Sequence, residues 1–243
     1  MSMDNITNLF NQGVSLHQCG KFNEAITIYL KILPTQRDND ELLFTIGTAY
    51  CQLGKLEDGL NFLRKSSRSN PKNFHTFGNM GRVLTDLHRY DEAILNYNKA
   101  IALNPNFTEA LLGRANALVE TCQYENAILD YDRIIATAPN FPLAHCNKGR
   151  AHFELENYEA ALSCYNQAIS LAPNFSEAYS NRGNALKKLD NFSAALTDFT
   201  TAIQLNPNLE GHYRNRGFLL QELNHHEEAL PDLEKAYALN PDI

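Results

Sequence analysis

Small and large apolar residues recur along this chain with a long, fixed period, which points to repeated units rather than to one irregular core. Proline stands at 71, 105, 139, 173, 207 and 241, at intervals of 34 residues, a length that suits one helix-turn-helix unit. Taking each proline as position 32 divides the chain into seven repeats, 6–39, 40–73, 74–107, 108–141, 142–175, 176–209 and 210–243, preceded by a short tail, 1–5. The register holds at positions that did not define it. Position 8 carries Gly13, Gly47, Gly81, Ala115, Gly149, Gly183 and Gly217, and position 20 carries Ala25, Gly59, Ala93, Ala127, Ala161, Ala195 and Ala229. Two helices crossing at those points require small side chains. Large residues fill position 24, as Tyr29, Leu63, Tyr97, Tyr131, Tyr165, Phe199 and Leu233, and Leu, Ile or Tyr nearly always occupies positions 11, 21 and 28.

Between the two helices a short turn is followed by an aromatic or apolar residue, as in Gly20-Lys21-Phe22, Gly54-Lys55-Leu56, Arg89-Tyr90 and Asn157-Tyr158. Between repeats, Asn-Pro-Asn or Ala-Pro-Asn ends the second helix, because the residue before proline is pushed out of the α region. One helix pair cannot bury its apolar stripe alone, so neighbouring pairs are expected to share a continuous core. Three repeats depart from the pattern. The first lacks the terminal proline and offers Ile32-Leu33-Pro34-Thr35, so its second helix should end about a turn early. The second carries Gly59, Ser66 and Ser67 where Ala and Ile recur, and with the first it should be the loosest part of the array. The seventh places Pro231 inside its second helix, where a modest kink is expected. Its Leu230, Leu233 and Tyr237 would leave apolar surface for a following segment or for another copy of the chain.

Charge narrows the partners. A formal net charge of -7 disfavours nucleic acid, which needs clustered Lys and Arg. No run approaches the roughly 20 apolar residues that span a bilayer, and the N-terminus has no signal-peptide pattern, so membrane insertion is not expected and the reading is cytoplasmic. Cys19, Cys51, Cys122, Cys146 and Cys164 form no CxxC pair and suit a reducing compartment.

With this phasing and these small and large positions, the repeats resemble the tetratricopeptide repeat family over essentially the whole chain. The resemblance implies an all-α fold, a right-handed α-solenoid of stacked antiparallel helix pairs whose first helices line a concave groove. It also implies that positions 2, 5, 6, 9, 12 and 13 face that groove. Position 6 reads Asn11, Thr45, Asn79, Gly113, Asn147, Asn181 and Asn215, and Asn116 and Asn184 at position 9 extend the series. Asparagine is a mediocre helix former, and an amide that both donates and accepts matches the backbone of an extended peptide. The pattern is similar to the asparagine ladder of O-linked N-acetylglucosamine transferase repeat domains, which implies a grip on peptide backbone. The competing reading is that these amides bond each other or a neighbouring carbonyl and orient the repeats. Flanking charges are mixed, with Arg82, Arg150, Lys187, Lys188 and Arg214 against Glu41, Asp86, Glu109, Glu120, Glu154, Glu177 and Glu222. No three consecutive repeats supply the family's carboxylate clamp for chaperone tails.

Other chemistry is set aside. Asp130-Tyr131-Asp132 matches a metal-binding string of some glycosyltransferases but centres on a core tyrosine. His145 and His152 are about 10 Å apart by helical rise, too far to share a zinc ion. His225-His226-Glu227-Glu228 is not a zinc protease motif. No phosphate-cradling loop or nucleophile elbow is present, so no cofactor, metal or catalytic site is expected. The sequence therefore predicts a scaffold that holds a protein or peptide on Asn11, Asn79, Arg82, Asn116, Asn147, Arg150, Asn181, Asn184, Arg214 and Asn215. The alternative is the substrate-recruiting arm of a larger bacterial glycosyltransferase resembling O-linked N-acetylglucosamine transferase. Self-association through the last repeat is a further expectation.

Overall fold

The computed structural model describes residues 2–241, among which every regular element is helical. The first helices of the repeats are α1 (Met3–Gln18), α3 (Asp40–Gln52), α5 (Phe74–Asp86), α7 (Thr108–Glu120), α9 (Pro142–Glu154), α11 (Ser176–Lys188) and α13 (Glu210–Glu222). The second helices are α2 (Phe22–Ile32), α4 (Leu56–Ser69), α6 (Tyr90–Leu103), α8 (Tyr124–Thr137), α10 (Tyr158–Leu171), α12 (Phe192–Leu205) and α14 (His226–Leu239). One boundary differs from the sequence reading. The expected tail is mostly helical, because Ser2 caps α1 by accepting the Asn5 N–H at 3.4 Å, which satisfies an amide that the helix start would otherwise leave open.

Two compact units divide the chain, Met1–Cys122 and Gln123–Ile243. In the first, α1 packs on α2, α3 on α4 and α5 on α6, and each second helix also touches the next first helix. The second repeats this scheme with the pairs α9 and α10, α11 and α12, and α13 and α14.

The closest packing in each pair joins positions 8 and 24. A Cβ built on Gly81 would lie 2.6 Å from the Tyr97 ring, on Gly149 2.6 Å from Tyr165, and on Gly183 2.6 Å from Phe199. Gly13 meets Tyr29 in the same way, and Gly47 meets Leu63. Tyr29, Leu63, Tyr131, Tyr165 and Phe199 are fully buried. Each first helix is then closed by a turn whose position 15 adopts the left-handed conformation, at Gly20, Gly54, His88, Cys122, Glu156, Asp190 and Asn224. The next N–H bonds back five residues, as from Arg89 to the Leu84 carbonyl at 2.8 Å and from Asn191 to that of Leu186 at 2.9 Å, the Schellman arrangement.

The irregular repeats show how the sequence compensates. α2 stops at Ile32, short of the other second helices, and a 3₁₀ turn over Leu33–Thr35 follows. Gly59 is required by contact, since its Cβ would collide with Cys51 Sγ and lie 2.8 Å from the Gly47 carbonyl. Ser66 is fully buried, and its hydroxyl bonds the Asp40 carbonyl at 3.0 Å and lies 3.3 Å from Thr76 Oγ1. Ser67, the third residue that looked loosening in the sequence, bonds the Arg64 carbonyl at 2.9 Å, so all three make specific contacts. Pro231 lies within α14, which runs on to Leu239.

Two glycine substitutions should separate backbone from packing effects. Gly54→Ala strains only a left-handed residue with open space around it and should cost about 1 kcal/mol. Gly81→Ala adds a clash with the Tyr97 ring and should cost about 3 kcal/mol. Urea unfolding of both variants measures the difference.

Candidate functional site

On α5 and α7 the groove-facing positions open into a cleft of about 470 Å³. Two glycines let aromatic rings approach the helix backbones along it. Gly78 and Gly113 sit at positions 5 and 6, where a Cβ would meet Phe107 at 2.6 Å and the Tyr97 hydroxyl at 2.5 Å. Phe107, Tyr97, Ala110 and Leu112 give the cleft apolar walls, and Asn79, Arg82, Asp86, His75, Glu109 and Asn116 give it a polar rim. Phe107 is held in place by edge-on contact with Phe74, ring centroids 5.0 Å apart.

Three residues expected from sequence thus meet in one place: Asn79, Arg82 and Asn116. The Asn79 amide donates to the His75 carbonyl at 3.0 Å and accepts from Arg82 at 3.4 Å, while Arg82 also pairs with Asp86 at 3.6 Å. The rim is therefore charged but locally neutralised. Gly113, which interrupts the asparagine series in the sequence, makes room for the Tyr97 ring.

The remaining candidates occupy other settings. Asn11 is exposed on α1. Asn181 donates to Cys146 Sγ at 3.7 Å and Asn215 donates to Ser180 Oγ at 3.1 Å, each bond reaching position 5 of the preceding repeat. The Asn147 side chain bonds the Tyr131 phenol, whose pKa burial raises. These three asparagines contribute to contacts between neighbouring repeats. Arg214 pairs with Glu210 at 3.7 Å, and Arg150 and Asn184 lie half-buried on α9 and α11.

Sequence reasoning missed a second series, at position 7. Arg182 grips Asp198 of α12 with two bonds of 2.7 Å and reaches back to Asn166 of α10 at 2.7 Å. Arg216 does the same with Asp232 at 2.7 Å and Thr200 at 3.1 Å. Lys148 meets Asp132 at 2.6 Å, and Arg114 meets Asn98 at 2.5 Å. Each cation ties its own repeat to the one before. The signal was available as basic residues at one position and Asp, Asn or Thr sixteen residues away on either side, but a search of the groove positions passes over it.

Titratable groups elsewhere serve packing. Burial depresses the pKa values of His152 and His212, with the Lys148 charge adding to the effect at His152. It raises the Cys146 thiol to about 11 and the Tyr29 phenol to about 12. All five cysteines are unpaired. Tyr131, at the centre of the Asp130-Tyr131-Asp132 string, is fully buried. No group of His, Cys, Asp or Glu among the described residues is placed to hold a metal, and no helix among them is long and apolar enough to cross a membrane.

Helix pairs locked by glycine and strapped by arginine define a repeat scaffold. Family models described as TPR repeat and tetratricopeptide repeat match residues 81–121, 149–190, 176–209 and 213–243, together more than half of the chain. The chain belongs to the tetratricopeptide repeat family. A model for subunit 3 of the anaphase-promoting complex, cyclosome, matches residues 18–100. No curated protein matches the chain.

Solved structures agree on the fold. A tetratricopeptide repeat protein from Parabacteroides merdae is 21% identical with a TM-score of 0.82, covering 98% of this chain and 94% of its own. The C-terminal part of a TPR repeat-containing protein from Cytophaga hutchinsonii is 16% identical with a TM-score of 0.75, over 96% and 95%. YrrB, described as a TPR protein with an unusual peptide-binding site, is 23% identical with a TM-score of 0.56, over 74% and 93%.

Two predictions follow the division of roles. Asn181→Ala and Asn215→Ala should each lower stability by about 1 kcal/mol, and Asp198→Ala, which strands the Arg182 charge, by about 3 kcal/mol, read by urea titration. His152 and His212 are held neutral in the folded chain. Acidification below about 6.5, the ordinary histidine value, protonates the unfolded chain first, so stability should fall as pH drops. Urea midpoints at pH 7.5 and 5.5 measure the decline, which the double variant His152→Phe, His212→Phe should flatten.

Proposed function

We propose that the chain is a non-catalytic protein-interaction scaffold that takes an extended peptide on its first-helix face, with the cleft between α5 and α7 as the anchoring point. The observation that carries this reading is the apolar recess walled by Phe107 and Tyr97, whose rings pack against Gly78 and Gly113, with the amides of Asn79 and Asn116 on its rim. An apolar side chain would fill the recess, while the amides supply donors and acceptors to the peptide backbone on either side. The mixed and internally paired charges of the rim favour a ligand chosen by backbone and shape rather than by net charge. A peptide-binding site in the structurally similar YrrB supports the same class of ligand. Within the second unit, Arg150, Asn184 and Arg214 are separate candidates for ligand contact, while Asn147, Asn181 and Asn215 orient repeats. Five unpaired thiols suit the cytoplasm. The recruiting arm of a larger glycosyltransferase would use the same face, with its asparagines reading substrate backbone.

Screening a peptide library against the chain and against an Asn79→Ala, Asn116→Ala variant tests the proposal. Affinity should fall by about tenfold or more, equivalent to about 1.4 kcal/mol, with helicity by circular dichroism unchanged. Undiminished binding would remove the cleft from the function.

A further inference from the structure

A second recess lies in the same unit on different residues. Two adjoining hollows of about 410 and 350 Å³ share Arg37, Leu43 and Lys65. Leu30 and Leu33 line the first, and Arg68 and Asp38 the second. The recess borders the irregular first repeat, where α2 ends at Ile32 and the 3₁₀ turn begins. Leu30 and Leu33 stand at that junction in place of a regular last helical turn, and Leu30 is 38% exposed.

The cations around this recess lack carboxylate partners. Among the described residues, Arg37 and Arg68 make no ion pair or side-chain hydrogen bond, and the Lys65 ammonium has only the Phe62 ring, 4.9 Å from its centroid. Arg64, on the same helix, is by contrast matched to Glu92 at 3.7 Å. Asp38 is the one acidic residue of the lining. In a chain with a net charge of -7, the lining reverses the sign locally beside an apolar floor. Nucleic acid would meet the wrong overall charge and too few cations. A short acidic segment with one apolar side chain matches both halves of the surface.

We infer that this recess docks an acidic peptide segment. A Leu- or Phe-sized side chain enters between Leu30, Leu33 and Leu43, and flanking carboxylates meet Arg37, Lys65 and Arg68. Burial of the anchor supplies most of the affinity, because exposed ion pairs contribute little. The cations select the sign of the ligand and speed its encounter. The recess shares no residue with the α5 and α7 cleft, so the two proposals stand or fall separately.

Fluorescence anisotropy on the full chain decides it, using labelled Glu-Asp-Leu-Phe-Glu-Asp and Lys-Lys-Leu-Phe-Lys-Lys as probes. On the chain carrying Asn79→Ala and Asn116→Ala, which weakens the α5 and α7 cleft, the acidic probe should bind and the basic probe should not. Arg37→Glu with Arg68→Glu should weaken the acidic probe by about tenfold or more, and Leu30→Lys should also weaken it. Circular dichroism checks that each variant is folded. Failure of the acidic probe to bind that chain, equal binding of both probes to it, or undiminished binding after charge reversal overturns the inference. So does retention on phosphatidylserine vesicles without acidic-probe binding, which would make the patch a lipid contact.

Discussion

The approach of a position 8 glycine to the bulky residue at position 24 sets how deeply two helices sink into each other, and the other contacts of a repeat depend on that depth. Gly81 against Tyr97 and Gly183 against Phe199 leave no room for a methyl group. With the backbones that close, Ala93 and Ala195 at position 20 are fully buried, so the apolar faces are sealed by small residues on one side and a ring on the other. Such contact gains dispersion energy from many atom pairs at once and loses it quickly when one helix shifts. Tyr97 also forms part of the cleft wall, so the residue that locks a repeat shapes its binding surface as well.

Neighbouring repeats are joined by apolar packing and by polar contacts in both units, including Arg64–Glu92 and Arg89–Glu57 in the first and the cluster around Tyr165 in the second. In the first, position 7 carries Gln12, Ile46 and Met80 before Arg114 begins the basic series, and the cluster around Tyr29 gathers Ile6, Ile28, Ile32, Leu42 and Ile46. In the second, Arg182 and Arg216 each bind three helices through one guanidinium. The planar fork suits this task, since it offers several donors in fixed directions. The Asn181 and Asn215 bonds lie between the same repeats. An amide series that resembles a ligand-reading ladder is therefore, over this stretch, partly a means of keeping repeats in register.

The fold was legible because its determinants are steric and periodic. A small residue needed every 34 positions leaves a mark that survives changes in every other residue, and the early end of α2 could be read from one missing proline. The site was less legible. Asn79 and Asn116 were singled out by their amide chemistry, but the cleft they border depends on rings packed against Gly78 and Gly113, and that contact has no chemical signature in a sequence. Gly59 and Ser66 make contacts that a sequence does not display. Propensity counts them as losses, whereas the close approach to Cys51 and the bond to the Asp40 carbonyl appear only once the helices are packed. The arginine straps were hidden by distance along the chain, because each joins residues sixteen apart on both sides.

The apolar and ionic contacts between repeats respond oppositely to temperature. Apolar burial weakens on cooling, whereas the desolvation penalty of paired charges shrinks on heating. Cooling therefore bears hardest on clusters such as the one around Tyr29, and warmth favours the guanidinium straps of Arg182 and Arg216. A seam that holds both kinds of contact leans on a different one at each end of its temperature range.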